Sequence, residues 1–339
     1  MFDKLSNRQN LILKTIIEEY VDSNEPVGSK QLTEKPHLAF SSATIRYDMA
    51  YLEEVGLLTK THTSSGRIPS EEGYRYYVEN FVTRNNEVIE QFPLIDQLFN
   101  NTSLQKEELL EQAINLVSDM TSYMTVASST QLEHSKIMKI DLVKISESQA
   151  VMLVVTNQGH VENIKLNIPN YSFEDLQLAV TTLDKLLNDK YISDISEILS
   201  DEKVKNNIKE YIVYYDDLTD AFTRAFAKFT KEKVYQSNID PLFNQPEFQD
   251  INTVKRLLST ISNGNVLDLV SNEQGLSVRI GQDNQISSIN DCTVISIPYQ
   301  IDNGDSGTIA VIGPTRMEYN KVIPLLEYIA NNMSKLFDK

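Results

Sequence analysis

Between Ser6 and Pro69, three helix-start signals, a glycine stop and a short hairpin follow one another, and few folds accommodate that order. Ser6-Asn7-Arg8-Gln9 is a capping box: the serine hydroxyl takes an orphan N–H while Gln9 reaches back to the cap. Leu13, Ile16, Ile17 and Tyr20 then recur at helical spacing as one apolar stripe. Asn24-Glu25-Pro26 ends this helix, and Ser29 reads as the N-cap of a short second one over residues 30–35. Ser41-Ser42 opens a third helix, with Ile45, Met49 and Leu52 facing inward and Gly56 stopping it as a C′ glycine does. Residues 57–62 read as a strand, Thr63-Ser64-Ser65-Gly66 as a tight turn and Arg67-Ile68-Pro69 as the start of the return strand. Helix, helix, turn, helix and hairpin is the order of a winged helix-turn-helix, here assigned to residues 1–84.

The physics of that fold suits DNA. A capped helix end presents N–H groups to phosphate, and the third helix enters the major groove. Subtracting its buried stripe leaves Ala43, Arg46, Tyr47 and Ala50 on the outer face. Small residues beside an arginine allow close approach to base edges, where Arg46 can pair with guanine O6 and N7; the alternative for Arg46 is a solvated surface cation. The expected DNA-contacting set is Ser41, Ser42, Ala43, Thr44, Arg46, Tyr47 and Ala50 on the helix, with Lys60, Thr63, Ser64, Ser65, Gly66 and Arg67 on the wing. The net charge of −17 opposes phosphate binding, but its distribution softens the objection. Residues 1–84 carry 10 Lys and Arg against 12 Asp and Glu, so nearly all the acidity lies beyond them. An acidic body repelled by phosphate helps to turn a near-neutral N-terminal region toward DNA.

Residues 85–103 are polar, with Asn pairs at 85–86 and 100–101, and read as a linker. A helix follows, with Leu110, Ala113, Ile114, Val117 and Met124 in register. Strands are expected at 140–145, at 150–156, whose continuous apolar run suits a central strand, and at 161–168. Ser172 caps a helix carrying Leu176, Ala179, Val180, Leu183 and Leu187 on one face. Strands resume at 276–280, 293–299 and 308–312, and the last helix buries Val322, Leu325, Leu326, Ile329, Met333 and Leu336. This order suggests one α+β domain, residues 104–188 and 255–339, split by an insertion at 189–254. Within the insertion, Leu218, Phe222, Ala225, Phe226 and Phe229 share a helical face. Such a stripe serves as core or as subunit interface. An insertion this short buries it poorly alone, which favours the interface.

Catalytic readings find little support. Gly304-Asp305-Ser306-Gly307 looks like a serine-protease nucleophile motif, but that chemistry needs a partnered His and Asp, and a hairpin turn suits its polar surroundings better. Asn263-Gly264-Asn265 belongs to no phosphate-cradling loop. The single cysteine, Cys292, allows neither an intramolecular disulfide nor a Cys-based zinc site and reads as a buried structural thiol. His37, His62, His134 and His160 show no metal-ligand spacing. No enzyme and no cofactor are expected. No window approaches the roughly 18 apolar residues of a membrane span, and Met1-Phe2-Asp3-Lys4-Leu5-Ser6 has no signal-peptide core, so a reduced, cytoplasmic location is expected.

Several blocks carry a family likeness. Glu25-Pro26-Val27-Gly28-Ser29-Lys30, Ser41-Ser42-Ala43-Thr44-Ile45-Arg46, Leu52-Glu53-Glu54-Val55-Gly56-Leu57-Leu58, His62-Thr63-Ser64-Ser65-Gly66-Arg67-Ile68-Pro69 and Gly73-Tyr74-Arg75 resemble the HrcA family of bacterial heat-shock repressors. Gly313-Pro314-Thr315-Arg316-Met317-Glu318-Tyr319 resembles the same family's C-terminal signature. The chain departs at Tyr47, where the family usually carries Asn after the Ile-Arg pair. The resemblance implies an α+β multidomain chain: a winged helix-turn-helix, then a GAF-like domain interrupted by an inserted dimerisation segment. It further implies a homodimer on an inverted-repeat operator in double-stranded DNA upstream of chaperone genes, with repression supported by the chaperonin GroEL. The alternative is a regulator that senses a metabolite through the GAF-like domain.

Overall fold

The computed structural model describes residues 5–61, 66–82, 92–100, 106–129, 135–157, 159, 161–167, 172–201, 233–249, 255–256, 259, 275–284, 289–300 and 306–337. Its first element, α1 (Asn7–Ser23), starts at the expected capping box, Ser6 Oγ accepting from Gln9 N while Gln9 Oε1 accepts from Ser6 N. It ends at Asn24, whose φ of 56° is the left-handed cap. Short α2 (Ser29–Thr33) follows, then α3 (Ser42–Glu54), capped by Ser41. Ile12, Leu13, Ile16 and Ile17 of α1 pack with Leu32, Ile45, Met49 and Leu52, all nearly or wholly out of water. Each such side chain contributes about 1.5–3 kcal/mol relative to exposure. Gly56 takes a φ of +80°, and the chain turns into β1 (Leu58–Lys60), which pairs antiparallel with β2 (Arg67–Pro69). We call this assembly, with α4 (Glu71–Phe81), the head.

Two compact units make up the chain: Met1–Ser128 with Val234–Asp302 and Ser306–Lys339, and Ser129–Lys233 with Asn303–Asp305. The first holds the head and a five-stranded sheet. α5 (Pro93–Phe99) buries Ile95 and Phe99 inside the stretch expected to be a linker. The flanking Asn pairs concealed a one-sided apolar segment that starts on a helix-compatible proline. α6 (Lys106–Thr121) is shorter than its periodicity suggested, because Met124 opens strand β3 (Met124–Ser129) instead of closing the helix.

The second unit contains β4 (Ile137–Ser146), β5 (Gln149–Thr156) and β6 (Val161–Asn167), an antiparallel sheet of its own with β5 in the centre. Ala150, Met152 and Val154 alternate toward α7 (Phe173–Leu187), whose Leu176, Ala179, Val180, Leu183 and Leu187 close a separate core. Ile195 and Leu199 of α8 (Ile195–Ser200) join it. The compact unit therefore divides the chain differently from the expected boundaries. Residues 137–187, assigned above to the first half of the split domain, bury their apolar faces on one another, and β4, β5 and β6 pair with no strand of the larger sheet. The stripe Leu218, Phe222, Ala225, Phe226 and Phe229 lies outside the described residues.

Back in the first unit, β7 (Lys233–Gln236) and α9 (Asp240–Phe243) precede β8 (Ser277–Ile280), β9 (Cys292–Gln300), β10 (Ser306–Pro314) and α10 (Tyr319–Phe337). The sheet order is β7-β3-β10-β9-β8, so β3 and the later strands interlock around β10. Residues 307–314 of that central strand are buried. Ile309 and Val311 join a core with Val322, Leu326, Ile329 and Met333 of α10; Ala310 and Ile312 face a second core with Leu242, Phe248 and Cys292. The alternation is the strand period of two. Cys292 is an interior thiol, 1% exposed, its pKa raised to about 12 by burial.

Head and sheet domain meet where α4 lies against the start of α10. The Tyr74 and Tyr77 rings sit 5.8 and 6.4 Å from the Tyr319 ring. Asn320 donates to the Tyr77 hydroxyl, which donates to Glu18 Oε1 at 3.1 Å. Gly73 lies so close to the Leu57 carbonyl that a Cβ there would overlap it, so α4 can approach β1 only at a glycine. The blocks Gly73-Tyr74-Arg75 and Gly313–Tyr319, distant in sequence, are thus one structural feature.

Two outcomes test this packing. The Tyr74 hydroxyl is buried with no hydrogen-bond partner among the described residues, so Tyr74→Phe should raise stability by about 1 kcal/mol by removing an unmet donor; urea unfolding that shows a loss of that size would refute the assignment. Burial raises the pKa of Tyr123 to about 12 and raises those of Tyr74, Tyr77 and Tyr319 as well. Unfolded tyrosine ionises near about pH 10, so above that pH the unfolded state releases protons that the folded state retains. Stability should be indifferent to these phenols below about pH 10 and fall as pH rises toward 12. Tyrosinate absorbance should then appear together with unfolding and not before it.

Candidate nucleic-acid interface

The outward face of α3 depends on what holds α3 from behind. Asp48 falls on the inward side, between Ile45 and Leu52, with its side chain fully buried. A carboxylate there requires a counter-charge, and Arg8 of α1 supplies it: Nε to Oδ2 at 2.6 Å and Nη2 to Oδ1 at 3.1 Å. The same carboxylate, by hydrogen bond and charge, raises the Arg8 pKa. This two-pronged pair fixes both the roll and the slide of α3 against α1. Sequence reasoning missed it, although an acid at an i+3 position of a buried stripe was the available signal.

On the opposite face Ser41, Ala43, Arg46, Tyr47 and Ala50 are exposed, whereas Ser42 and Thr44 are half-buried. Ser41 is the N-cap, accepting from Thr44 N at 3.2 Å. Tyr47 leaves 72% of its surface in solvent. Arg46 is held: its Nε donates to Ser29 Oγ at 3.0 Å, and Ser29 Oγ lies 3.3 Å from Ser42 Oγ. Expected above as an N-cap, Ser29 is the first residue of α2, and Gly28 takes the cap position without a side-chain bond. The serine hydroxyl therefore serves the neighbouring helix. With Nε occupied, the Nη1 and Nη2 ends of Arg46 have no partner among the described residues, a fork of the shape that guanine O6 and N7 accept.

The wing differs from its expected form. Lys60 is exposed on β1, opposite Arg67 of β2. Arg67 itself turns inward: its side chain is 16% exposed, with Nε 2.7 Å and Nη2 2.6 Å from Glu53 Oε2. Its backbone exchanges hydrogen bonds of 2.9 Å with Val27. Gly66 is buried, and a Cβ there would come within 2.8 Å of Pro26. Both residues were expected to face DNA, but they tie the root of the wing to the α1–α2 connection and to the end of α3. Paired against Glu53, Arg67 satisfies a charge that would otherwise be unpaired at the junction of two elements. Thr63, Ser64 and Ser65 lie outside the described residues.

The arrangement is a convex, capped helix bearing one pre-placed guanidinium, one exposed phenol and small flanking residues. The major groove, about 12 Å wide, admits such a helix. Among the described residues no cluster of three or more His, Cys, Asp or Glu could hold a metal, and no helix is long and apolar enough to cross a membrane.

Comparison with known proteins matches two family models to the chain. A profile of the DeoR-like helix-turn-helix domain matches residues 14–70, and one of the HrcA protein C terminal domain matches residues 107–323. The heat-inducible transcription repressor HrcA of Acholeplasma laidlawii (strain PG-8A) is 45% identical over 334 residues, covering 98% of each chain. That of Phytoplasma australiense is 39% identical, covering 98% of this chain and 99% of the relative. The Bacillus pumilus (strain SAFR-032) repressor is 35% identical, covering 99% of this chain and all of the relative. A crystal structure of a hypothetical protein at 2.2 Å resolution shares the fold, with a TM-score of 0.70 and 25% identity over 98% of this chain and 99% of that one. The chain belongs to the HrcA family of heat-inducible transcription repressors.

Proposed function

We propose that the protein represses chaperone operons as a cytoplasmic homodimer that binds an inverted-repeat operator through α3. The observation that carries this reading is the outer face of α3, where Ser29 holds Arg46 with its fork free beside an exposed Tyr47. Fixing a long side chain before binding removes about 0.5–1.5 kcal/mol of ordering cost at the moment of contact. Ser41, Ser42, Ala43, Thr44 and Ala50 line the approach, and Lys60 with Thr63, Ser64 and Ser65 of the wing adds phosphate contacts. One helix reads too few bases for useful specificity, so two copies are needed. They join outside the head, with the Leu218, Phe222, Ala225, Phe226 and Phe229 stripe as the surface proposed to meet its copy. GroEL supports the active fraction, because a sheet interrupted by a second unit has the non-local contacts that slow folding.

Three substitutions test the reading of bases. Arg46→Ala should cost about 1–3 kcal/mol on the operator and relax preference at one base pair. Ser29→Ala should lose about two- to tenfold in affinity, from the ordering cost returned to Arg46, and should have no effect once Arg46 is already Ala. Tyr47→Asn should fold normally and change base preference within each half-site, since a phenol can touch a thymine methyl but cannot copy the paired adenine contact of an amide. Binding profiles over all single-base operator variants, with thermal unfolding as the control, give the answer. Unchanged profiles for both Arg46→Ala and Tyr47→Asn would show that α3 does not read the bases.

For the chaperonin, purified protein refolded with GroEL should yield a larger DNA-competent fraction and less aggregate than protein refolded alone. Equal yields would remove that part of the proposal.

A further inference from the structure

Head and sheet domain are fastened at three separate places. Arg316, 9% exposed, pairs through Nε and Nη2 with the Glu247 carboxylate, while Nη2 also reaches Gln245 Oε1 at 3.2 Å and Nη1 donates to Val21 O in the last turn of α1 at 3.1 Å. Arg75 of α4 grips Asp283 with two bonds, 2.7 and 2.9 Å, and donates to Ile280 O at 3.2 Å. Between them lies the Tyr77–Asn320 bond beside the Tyr319 ring. A cleft of about 640 Å³, bordered by Ile17, Val21, Tyr77, Met317 and Pro324, opens between α1 and the start of α10. One apolar core runs from the head into the sheet domain through Tyr74, Tyr77 and Tyr319, the cleft interrupts it along α1, and the polar attachments add directional contacts at its edges. Three attachments on two head helices, not in one line along the chain, remove the rotations that a single contact would leave.

We propose that this clasp is a positioning device for operator binding: Arg75 with Asp283, and Arg316, oriented by Glu247, with the Val21 carbonyl, fix each head to its own sheet domain and so select the spacing between half-sites without touching DNA. The inference rests on the reading of the protein as a dimer that binds an inverted repeat. In such a dimer the separation of the two α3 helices depends on how each head is held to the rest of its copy. A clasped head presents one separation. An unclasped head, held by the Tyr74, Tyr77 and Tyr319 packing without the ion pairs, samples a wider range, which lowers the effective concentration of the second head at the correct site and raises it at incorrect ones. Arg75 and Arg316 thus act as positioning residues, away from the reading surface on α3.

The test uses the full-length protein on operators whose half-sites keep their bases but are moved apart or together by one and two base pairs. Wild type should lose on the order of 100-fold in affinity when the spacing is wrong, as a bivalent contact does when geometry forbids both arms. Asp283→Ala, at a side chain 38% exposed, should flatten that dependence about tenfold, and Asp283→Glu should retain it. Adding Glu247→Gln to Asp283→Ala should flatten it further. Base preference within a half-site, measured on single half-sites, should remain that of wild type in every variant, which a general loss of folding would not produce. If the spacing profile of both Asp283→Ala and the double variant stays as steep as wild type, the clasp does not set spacing; Asp283→Ala alone decides the matter should the double variant fail to fold. A wild-type protein that sediments as a monomer, or is indifferent to spacing, overturns the dimer reading and this inference with it, whereas a steep wild-type profile with steep variants overturns the inference alone.

Discussion

A guanidinium with nine-tenths of its surface out of water must place its donors or pay the cost of leaving them unmet, and Arg316 places them by gathering distant parts of the chain. Its partners are a carbonyl at the end of α1, 295 residues earlier, and a glutamate and a glutamine from the turn after α9. Around it, Met317 is wholly buried and Tyr319 stacks toward Tyr74 and Tyr77. Remove that charge network and the first helix of the head loses its tie to the strand β10 that centres the larger sheet. The head's own core, from Ile12 to Leu52, would survive, and its hold on the sheet domain would rest on α4, through Arg75, Tyr74 and Tyr77.

The local signals in the sequence translated into structure almost unchanged. The Ser6 capping box, the Ser41 cap, the Gly56 stop and the Ile45, Met49, Leu52 stripe each depend on residues three or four apart, so each can be read without knowing the fold. What stayed hidden was non-local. The pairing of Arg8 with Asp48 spans 40 residues, and that of Ser29 with Arg46 spans 17. Arg67 looked like a wing cation until Glu53, on another element, claimed it. Met124 continued a helical period and yet begins a strand, because its partner Ile312, 188 residues later, competes for it. The compact units differ from the expected insertion for a related reason: alternation announces a strand but not which sheet it joins. β4, β5 and β6 carry the same pattern whether they extend the larger sheet or form their own.

The two faces of α3 divide the work of recognition. Inward, Asp48 and three apolar side chains leave the helix no freedom to roll. Outward, Ser29 spends its hydroxyl on Arg46 at the cost of capping its own helix, which starts on Gly28 without a side-chain cap. A five-residue helix without a cap is weak in isolation; buried Leu32 and the packing of α2 on α3 offset that loss. Local stability is thus exchanged for a fixed geometry at Arg46, the residue proposed to read a base.

Charge explains why geometry has to matter so much. Most DNA-binding proteins draw non-specific affinity from neutralised phosphates. The first 84 residues here are net −2 and the whole chain is −17, so that sequence-independent term is small. Two of the head's cations, Arg8 and Arg67, are already committed to Asp48 and Glu53, and Arg75 is committed to Asp283. Among the described residues of the expected DNA-contacting set, the cations that remain are Arg46 and Lys60, too few to hold DNA by attraction alone. On the proposed reading, affinity comes from base contacts made without an ordering penalty, and from two heads arriving at their half-sites together. Both requirements are met by rigidity, within the head through the Arg8–Asp48 and Arg46–Ser29 contacts and between head and sheet domain through Arg75 and Arg316. An acidic repressor can be specific on these terms because a poorly placed head has little non-specific attraction to hold it on the wrong sequence.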